Sequence, residues 1–246
     1  MKERPILFNG SMVRALLDGS KTQTRRIMKP QPSMDDRGFL WWHWSKHEGC
    51  AAADDDKGLP SRSWLEHCSY GRPGDRLWVR ETFRIGEDLG AGWEPWMSTG
   101  DRFVAYDSPA ADEYCVPADY VIPRNAKEVH NSESTAEHWR SFGPIPSIHM
   151  PRWASRILLE ITAVRAERLH DISRGDAVAE GIDCVENNYG NGPAYCDYGM
   201  KNQDDTAEWF NSPIDSYRSL RESINGAGSW DANPWVWVVE FKRAAP

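Results

Sequence analysis

The sequence predicts an α+β domain built on a curved or barrel-like sheet, and three observations carry that reading. The run Arg156-Ile157-Leu158-Leu159-Glu160-Ile161-Thr162-Ala163-Val164-Arg165 has the β-branched content and period of a long strand. The run Trp235-Val236-Trp237-Val238-Val239-Glu240-Phe241 is apolar on both faces, which places it centrally in a sheet. Short segments with helix caps and apolar stripes precede and separate these strands. The 246 residues, 40% of them hydrophobic and 27% charged, suit one globular domain spanning the whole chain.

Residues 12–18 predict a helix with Met12, Val13, Leu16 and Leu17 on one face, capped by Asn9 or Ser11 and stopped by Gly19. Pro30 and Pro32 close the segment that follows. Insertions are expected at about 31–73, 84–148 and 183–211. The first holds Trp41-Trp42-His43-Trp44 and Asp54-Asp55-Asp56 without a clear period and reads as a partly ordered excursion. Pro73-Gly74-Asp75 is a turn leading into a strand, Arg76 to Phe83. Residues 86–100 read as loop, 102–106 and 120–122 as short strands, and Gly143-Pro144-Ile145-Pro146 as a connection. Ser173 and Asp176 form a capping-box pattern for a short helix ended by Gly181. Ser212-Pro213 opens a further helix whose expected buried stripe is Ile214, Tyr217, Leu220 and Ile224.

Composition narrows the function. A net charge of −8 argues against a protein that grips long duplexes through their phosphates. Residues 1–30 nevertheless carry seven cations against Glu3 and Asp18, a local patch suited to a small anionic ligand or a short strand. Five cysteines without tight spacing fit reduced thiols rather than a disulfide scaffold. No apolar run is long enough for a bilayer, and Met1-Lys2-Glu3-Arg4-Pro5 lacks a signal peptide's apolar stretch, so a cytoplasmic protein without membrane contact is expected. Some of the thirteen tryptophans can serve as base platforms, the rest as core.

The run Gly19-Ser20-Lys21-Thr22-Gln23-Thr24-Arg25-Arg26 holds the candidate chemistry. A lysine acts as base or nucleophile when burial or nearby positive charge lowers its pKa, and Arg25 and Arg26 supply that charge. A threonine becomes a nucleophile when a neighbouring base takes its proton. On composition alone, a surface turn is the better explanation of such a pair.

Gly19-x-Lys21-x-x-Thr24-x-Arg26 resembles the signature of the ASCH superfamily, whose domains have a PUA-like β-barrel. Gly74-Asp75-x-Leu77-x-Val79 and Trp237-Val238-Val239-Glu240-Phe241 resemble two of its barrel strands. The runs Arg76–Glu81 and His149–Arg156 are similar to the larger ASCH proteins of phages and prophages. The superfamily's bacterial amidohydrolases of N4-acetylcytidine use a lysine, a threonine three positions later and a glutamate on a later short helix. That implies Lys21, Thr24 and Glu180 as catalytic residues. Thr24 attacks the amide carbonyl of an N4-acylated cytosine, Lys21 accepts its proton, and Glu180 holds Lys21 or passes a proton to the leaving amine. Arg25, Arg26, Arg152 and Trp153 are candidate ligand contacts. The expected partner is a modified nucleoside or single-stranded RNA, with no cofactor. Alternatives are an RNA- or modified-base-binding module without turnover, a single-stranded RNA ribonuclease, and a structural phage-associated role.

Glu180 itself sits where a carboxylate faces the negative end of its helix, and an exposed helix-end glutamate is the plainer reading. His43-x-x-x-His47-x-x-Cys50 with His67-Cys68 matches no established zinc spacing, so no metal is expected. Arg152-Trp153-x-x-Arg156 suits either base stacking or an Arg/Trp packing pair. Arg80-Glu81 reads as a structural ion pair. Asp75, Glu81 and Glu180 as a paired-carboxylate site have no supporting spacing.

Overall fold

The computed structural model describes residues 1–45, 49–52, 62–88, 102–106, 114–115, 128–130, 139–186, 192–199 and 209–244. Its elements begin with β1 (Glu3–Leu7), α1 (Gly10–Asp18), β2 (Gln23–Ile27), β3 (Ser33–Met34), β4 (Leu40–Ser45), β5 (Gly49–Ala52) and α2 (Arg62–Glu66). Next come β6 (Arg76–Arg80), β7 (Phe83–Asp88), β8 (Arg102–Tyr106), β9 (Tyr114–Cys115), β10 (Glu128–His130), β11 (Trp139–Ile145) and β12 (Leu158–Arg168). The last are α3 (Arg174–Ala179), β13 (Cys184–Glu186), β14 (Pro193–Cys196), β15 (Trp209–Phe210), α4 (Pro213–Asn225) and β16 (Trp235–Arg243). This is an α+β chain with a mostly β core and few helices. No sheet closes into a barrel among the described residues. The chain divides into two compact units, the first comprising Met1–Lys2, Ala15–Arg76 and Glu160–Arg243, the second Glu3–Arg14, Leu77–Leu159 and Ala244–Pro246.

In the first unit, β12, β16 and β2 are sheet neighbours in that order. β16 runs antiparallel to β2, with Trp237 opposite Arg26 and Val239 opposite Thr24. Five consecutive residues of β16 are buried, as its two apolar faces predict. The described residues of the segment 31–73 are more ordered than its missing period suggests. β3, β4 and β5 pair as an antiparallel sheet, and Trp42 lies 5.2 Å from Trp237 and 6.0 Å from Trp64, ring centre to ring centre. Alternation along β4 sends Trp42 inward, so a run that reads as irregular supplies part of the core. Residues 183–211 likewise contain β13, β14 and β15, ordered β13-β14-β15.

The buried stripe of α4 differs from the expected one. Pro213, Ser216, Tyr217, Leu220 and Arg221 face inward, while Ile224 is exposed. Hydrogen bonds decide the rotation. The Ser216 hydroxyl donates to the Cys196 carbonyl at 2.7 Å, and Ser219 Oγ accepts from the Tyr198 amide at 3.0 Å. A stripe read from hydrophobicity alone misses such anchors.

The second unit holds a sheet ordered β10-β11-β7-β8-β9, and β1 neighbours β6. The strand expected over 76–83 is broken at Glu81–Thr82 into β6 and β7, and Gly143-Pro144-Ile145 belongs to β11 rather than to a connection. Glu81 pairs with Arg156 through two bonds of 2.9 and 3.0 Å, not with its neighbour Arg80. Glu81 lies just past the end of β6, in the break before β7, and from there its carboxylate reaches Arg156. Arg80 instead lies 4.6 Å above the Trp78 ring. The expected strand 120–122 lies outside the described residues. Among the described residues, no helix is long and apolar enough to cross a membrane.

Candidate active site

Two local stops bring Lys21 and Glu180 together. The Asn9 side chain caps α1 by accepting from the Met12 amide at 2.9 Å, and Gly19 ends it with φ of 84°. The chain then folds back, and the Lys21 amide donates to the Ala15 carbonyl at 2.9 Å. The expected capping box starts α3: Ser173 and Asp176 each accept from the other's backbone amide. Gly181, at φ of 76°, turns the chain away just after Glu180. Lys21 and Glu180 form an isolated antiparallel bridge, and the Thr22 amide donates to the Ala179 carbonyl at 2.9 Å.

Lys21 is 2% exposed and Glu180 3%. Lys21 Nζ donates to the Glu180 carbonyl oxygen at 2.7 Å and to Oε2 at 3.1 Å. Burial drives the lysine pKa below its ordinary value. Glu180 opposes that shift through its charge and hydrogen bond, while Arg26 and Arg25 reinforce it. The Lys21 ammonium is thus held by an anion yet readier than a free lysine to give up its proton.

Arg25 lies on the same cluster. Its Nη1 is 3.2 Å from Glu180 Oε1, and Nη2 is 2.6 Å from Glu167 Oε1 and 3.2 Å from Asp176 Oδ2. Burial disfavours the charged guanidinium, but Glu180 and Glu167 outweigh it and raise the Arg25 pKa. Arg165 links Glu167, Asp176 and Glu240 on the outer side. This clasp fixes Glu180 from behind and makes Arg25 a brace for that carboxylate.

The Asp176 carboxyl titrates below its usual 3.8, because hydrogen bonds from Ser173 and the charges of Arg25 and Arg165 overcome the opposing effect of burial. A carboxyl depressed on folding contributes stability above its unfolded value, and that contribution is lost as pH falls through the folded value. Asp176→Asn should therefore flatten the acid limb of the melting midpoint below about pH 4. An unchanged limb in that variant counts against the clasp.

Along β2, Gln23 and Arg25 are directed at α3, with Gln23 Nε2 donating to the Asp176 carbonyl at 2.9 Å. Thr24 and Arg26 alternate with them. Thr24 is buried. Arg26 acts on Lys21 and also on Tyr70, whose hydroxyl burial holds protonated above its usual range. Burial and the Glu180 charge likewise raise the Tyr217 pKa, against the opposing pull of Arg221 and Arg25. Tyr70, Tyr217 and Arg221 carried no sequence signal beyond a loop tyrosine and a helical stripe.

Arg152 and Trp153 belong to the second unit, in a 3-10 turn (Arg152–Ala154). Arg152 donates to Glu3 at 2.8 Å and is half-exposed, while Trp153 is half-buried. Of the histidine and cysteine run, His47 lies outside the described residues. Among the described residues, no three His, Cys, Asp or Glu side chains are placed to hold a metal. Asp75 accepts from the Lys2 amide at 2.7 Å, which accounts for it without a catalytic role. No family model, curated protein or solved structure matches the chain.

Proposed function

We propose that the chain is a PUA-like ASCH hydrolase of an N4-acylated cytidine or related modified nucleoside. The observation supporting this is the buried contact between Lys21 and Glu180, 159 positions apart, at a lysine whose pKa burial lowers. In the proposed reaction the Thr24 oxygen attacks the acyl carbonyl and Lys21 takes its proton. The carbonyl–nitrogen bond breaks, and the proton passes from Lys21 to the exocyclic amine, with Glu180 stabilising the lysinium. Water then cleaves the threonyl ester and releases the carboxylic acid. Arg26 orients the ligand.

Incubation with N4-acetylcytidine, followed by chromatography, should show cytidine. Lys21→Met and Thr24→Val should each reduce the rate by about a hundredfold or more, with Thr24→Ser retaining part of it. Because the reaction needs neutral Lys21, the rate should rise with pH through that group's titration, below 10.5. A rate that rises with pH nowhere between about 4 and 10 counts against Lys21 as the base.

A second reading is a binding module without turnover. It is favoured by one feature: both Glu180 carboxylate oxygens are already engaged, one by Lys21 and one by Arg25. Binding of single-stranded RNA without any conversion of N4-acetylcytidine would select this reading.

A further inference from the structure

The hairpin of β3 and β4 presents an open cleft of about 310 Å³ lined by Ser33, Met34, Asp35, Trp41 and His43. We propose that this cleft stacks one unpaired base of a single-stranded RNA, so that the ligand extends beyond a single nucleoside. The inference rests on the nucleic-acid ligand named above.

Alternation along β4 sets the arrangement. Trp42 turns into the tryptophan core, which leaves Trp41 and His43 on the outer face beside Ser33, the cross-strand partner of Trp41. The Trp41 indole is held in place: its Nε1 donates to Asp35 Oδ2 at 3.2 Å. Asp35 is held in turn by the amides of Arg37 and Phe39 at 3.0 and 2.9 Å. Those bonds, foremost that of Phe39, hold its carboxyl below the usual range. The ring is therefore preorganised, and stacking on it costs little rotamer freedom.

The surroundings favour a base over an aliphatic or peptide occupant. The cleft is of a size for one flat ring rather than a chain. Met34 and Phe39 are 67% and 57% exposed, large apolar side chains left at the rim. The imidazole of His43 and the hydroxyl of Ser33 are positioned to meet polar ring edges. Arg37 pairs with Asp35 at 3.2 Å and lies 5.7 Å from the Phe39 ring centre, yet its side chain is 74% exposed, so its outer face stays open to a phosphate at the edge of the aromatic surface. Flat rings beside an exposed arginine match the chemistry of a single strand, whose bases stack while its phosphates attract arginine.

The test is fluorescence anisotropy of labelled oligocytidine RNA with the full chain. The wild type should bind, and Trp41→Ala should weaken binding about tenfold or more. Trp41→Phe should restore most of the affinity, whereas Trp41→Leu should not, although it keeps an apolar side chain. Arg37→Ala should lower the salt dependence by about one phosphate contact. Absence of RNA binding by the wild type, or rescue by leucine as good as by phenylalanine, overturns the proposal. Unfolding of both Trp41→Ala and Trp41→Leu, seen in melting curves, also overturns it by making Trp41 structural. Tighter binding of a labelled peptide of equal length than of the RNA does the same. RNA binding that depends on Trp41 without conversion of N4-acetylcytidine sinks the hydrolase reading alone, and conversion without such binding sinks this inference alone.

Discussion

Glu180→Ala should lower the folding free energy by about 3–5 kcal/mol, the cost of leaving buried charge without its partner. Two cations depend on this carboxylate: Lys21 at 3.1 Å and Arg25 at 3.2 Å. Arg25 keeps Glu167 and Asp176, and the Lys21 ammonium keeps the Glu180 backbone carbonyl. Lys21→Met removes a buried cation and leaves Glu180 held by Arg25, so it should cost much less than Glu180→Ala. The double variant Lys21→Met/Glu180→Ala should be more stable than Glu180→Ala alone, a non-additivity that urea denaturation reads directly. A Glu180→Ala chain within about 1 kcal/mol of the wild type would show that the pair is solvated and weak, as for a surface bridge. The same comparison separates stability from chemistry. Lys21→Met is the variant that can stay folded while losing all turnover.

Local chemistry was the legible part of this fold. Asn9, Ser173 and Ser212 cap their helices as expected, because a cap is decided within three residues. The long strand and the closing strand were legible from period alone, although β12 runs to Arg168, three residues past the expected end. Segments stabilised by distant partners were not. Nothing near Trp42 in sequence shows that Trp237 waits 195 positions away. Pro144 argued for a connection, yet it sits in a strand whose register shifts between Phe142 and Ile145. Glu81 reads as a partner of the adjacent arginine, whereas it sits in the break between β6 and β7, just where Arg156 reaches it.

The site divides in the same way. Only a family resemblance pairs Lys21 with Glu180, since a separation of 159 positions leaves no periodic signal. Arg25 was expected at a ligand because sequence shows an arginine's charge but not the carboxylates around it. Three of those, Glu167, Asp176 and Glu180, surround Arg25. Tyr217 reads as an apolar stripe residue, and its link to Glu180 appears only once α4 is packed. A helical period tells which side is buried, not what it is buried against.

Gly181→Ala should be the most damaging small substitution near the site, by roughly 2–4 kcal/mol. A Cβ there would come within 2.7 Å of the Lys21 Cβ and 2.8 Å of the Ala15 Cβ, and the backbone has φ of 76°. Two costs add: left-handed backbone for an L residue, and overpacking against neighbours fixed by their own hydrogen bonds. Gly19 separates them. It has φ of 84°, and a Cβ on it meets nothing within 4 Å. Gly19→Ala should therefore show only the backbone cost, about 1–2 kcal/mol. The difference between the two variants in urea denaturation isolates the close approach, and equal losses would remove it from the explanation. The consequence for chemistry follows from the neighbour that must yield. Ala15 lies within a helix turn and accepts the Lys21 amide, so it is poorly placed to move. Lys21 is the side that gives, and its ammonium shifts against Glu180. Gly181→Ala should then lose turnover beyond what its unfolded fraction explains, while Gly19→Ala loses turnover only in proportion to unfolding.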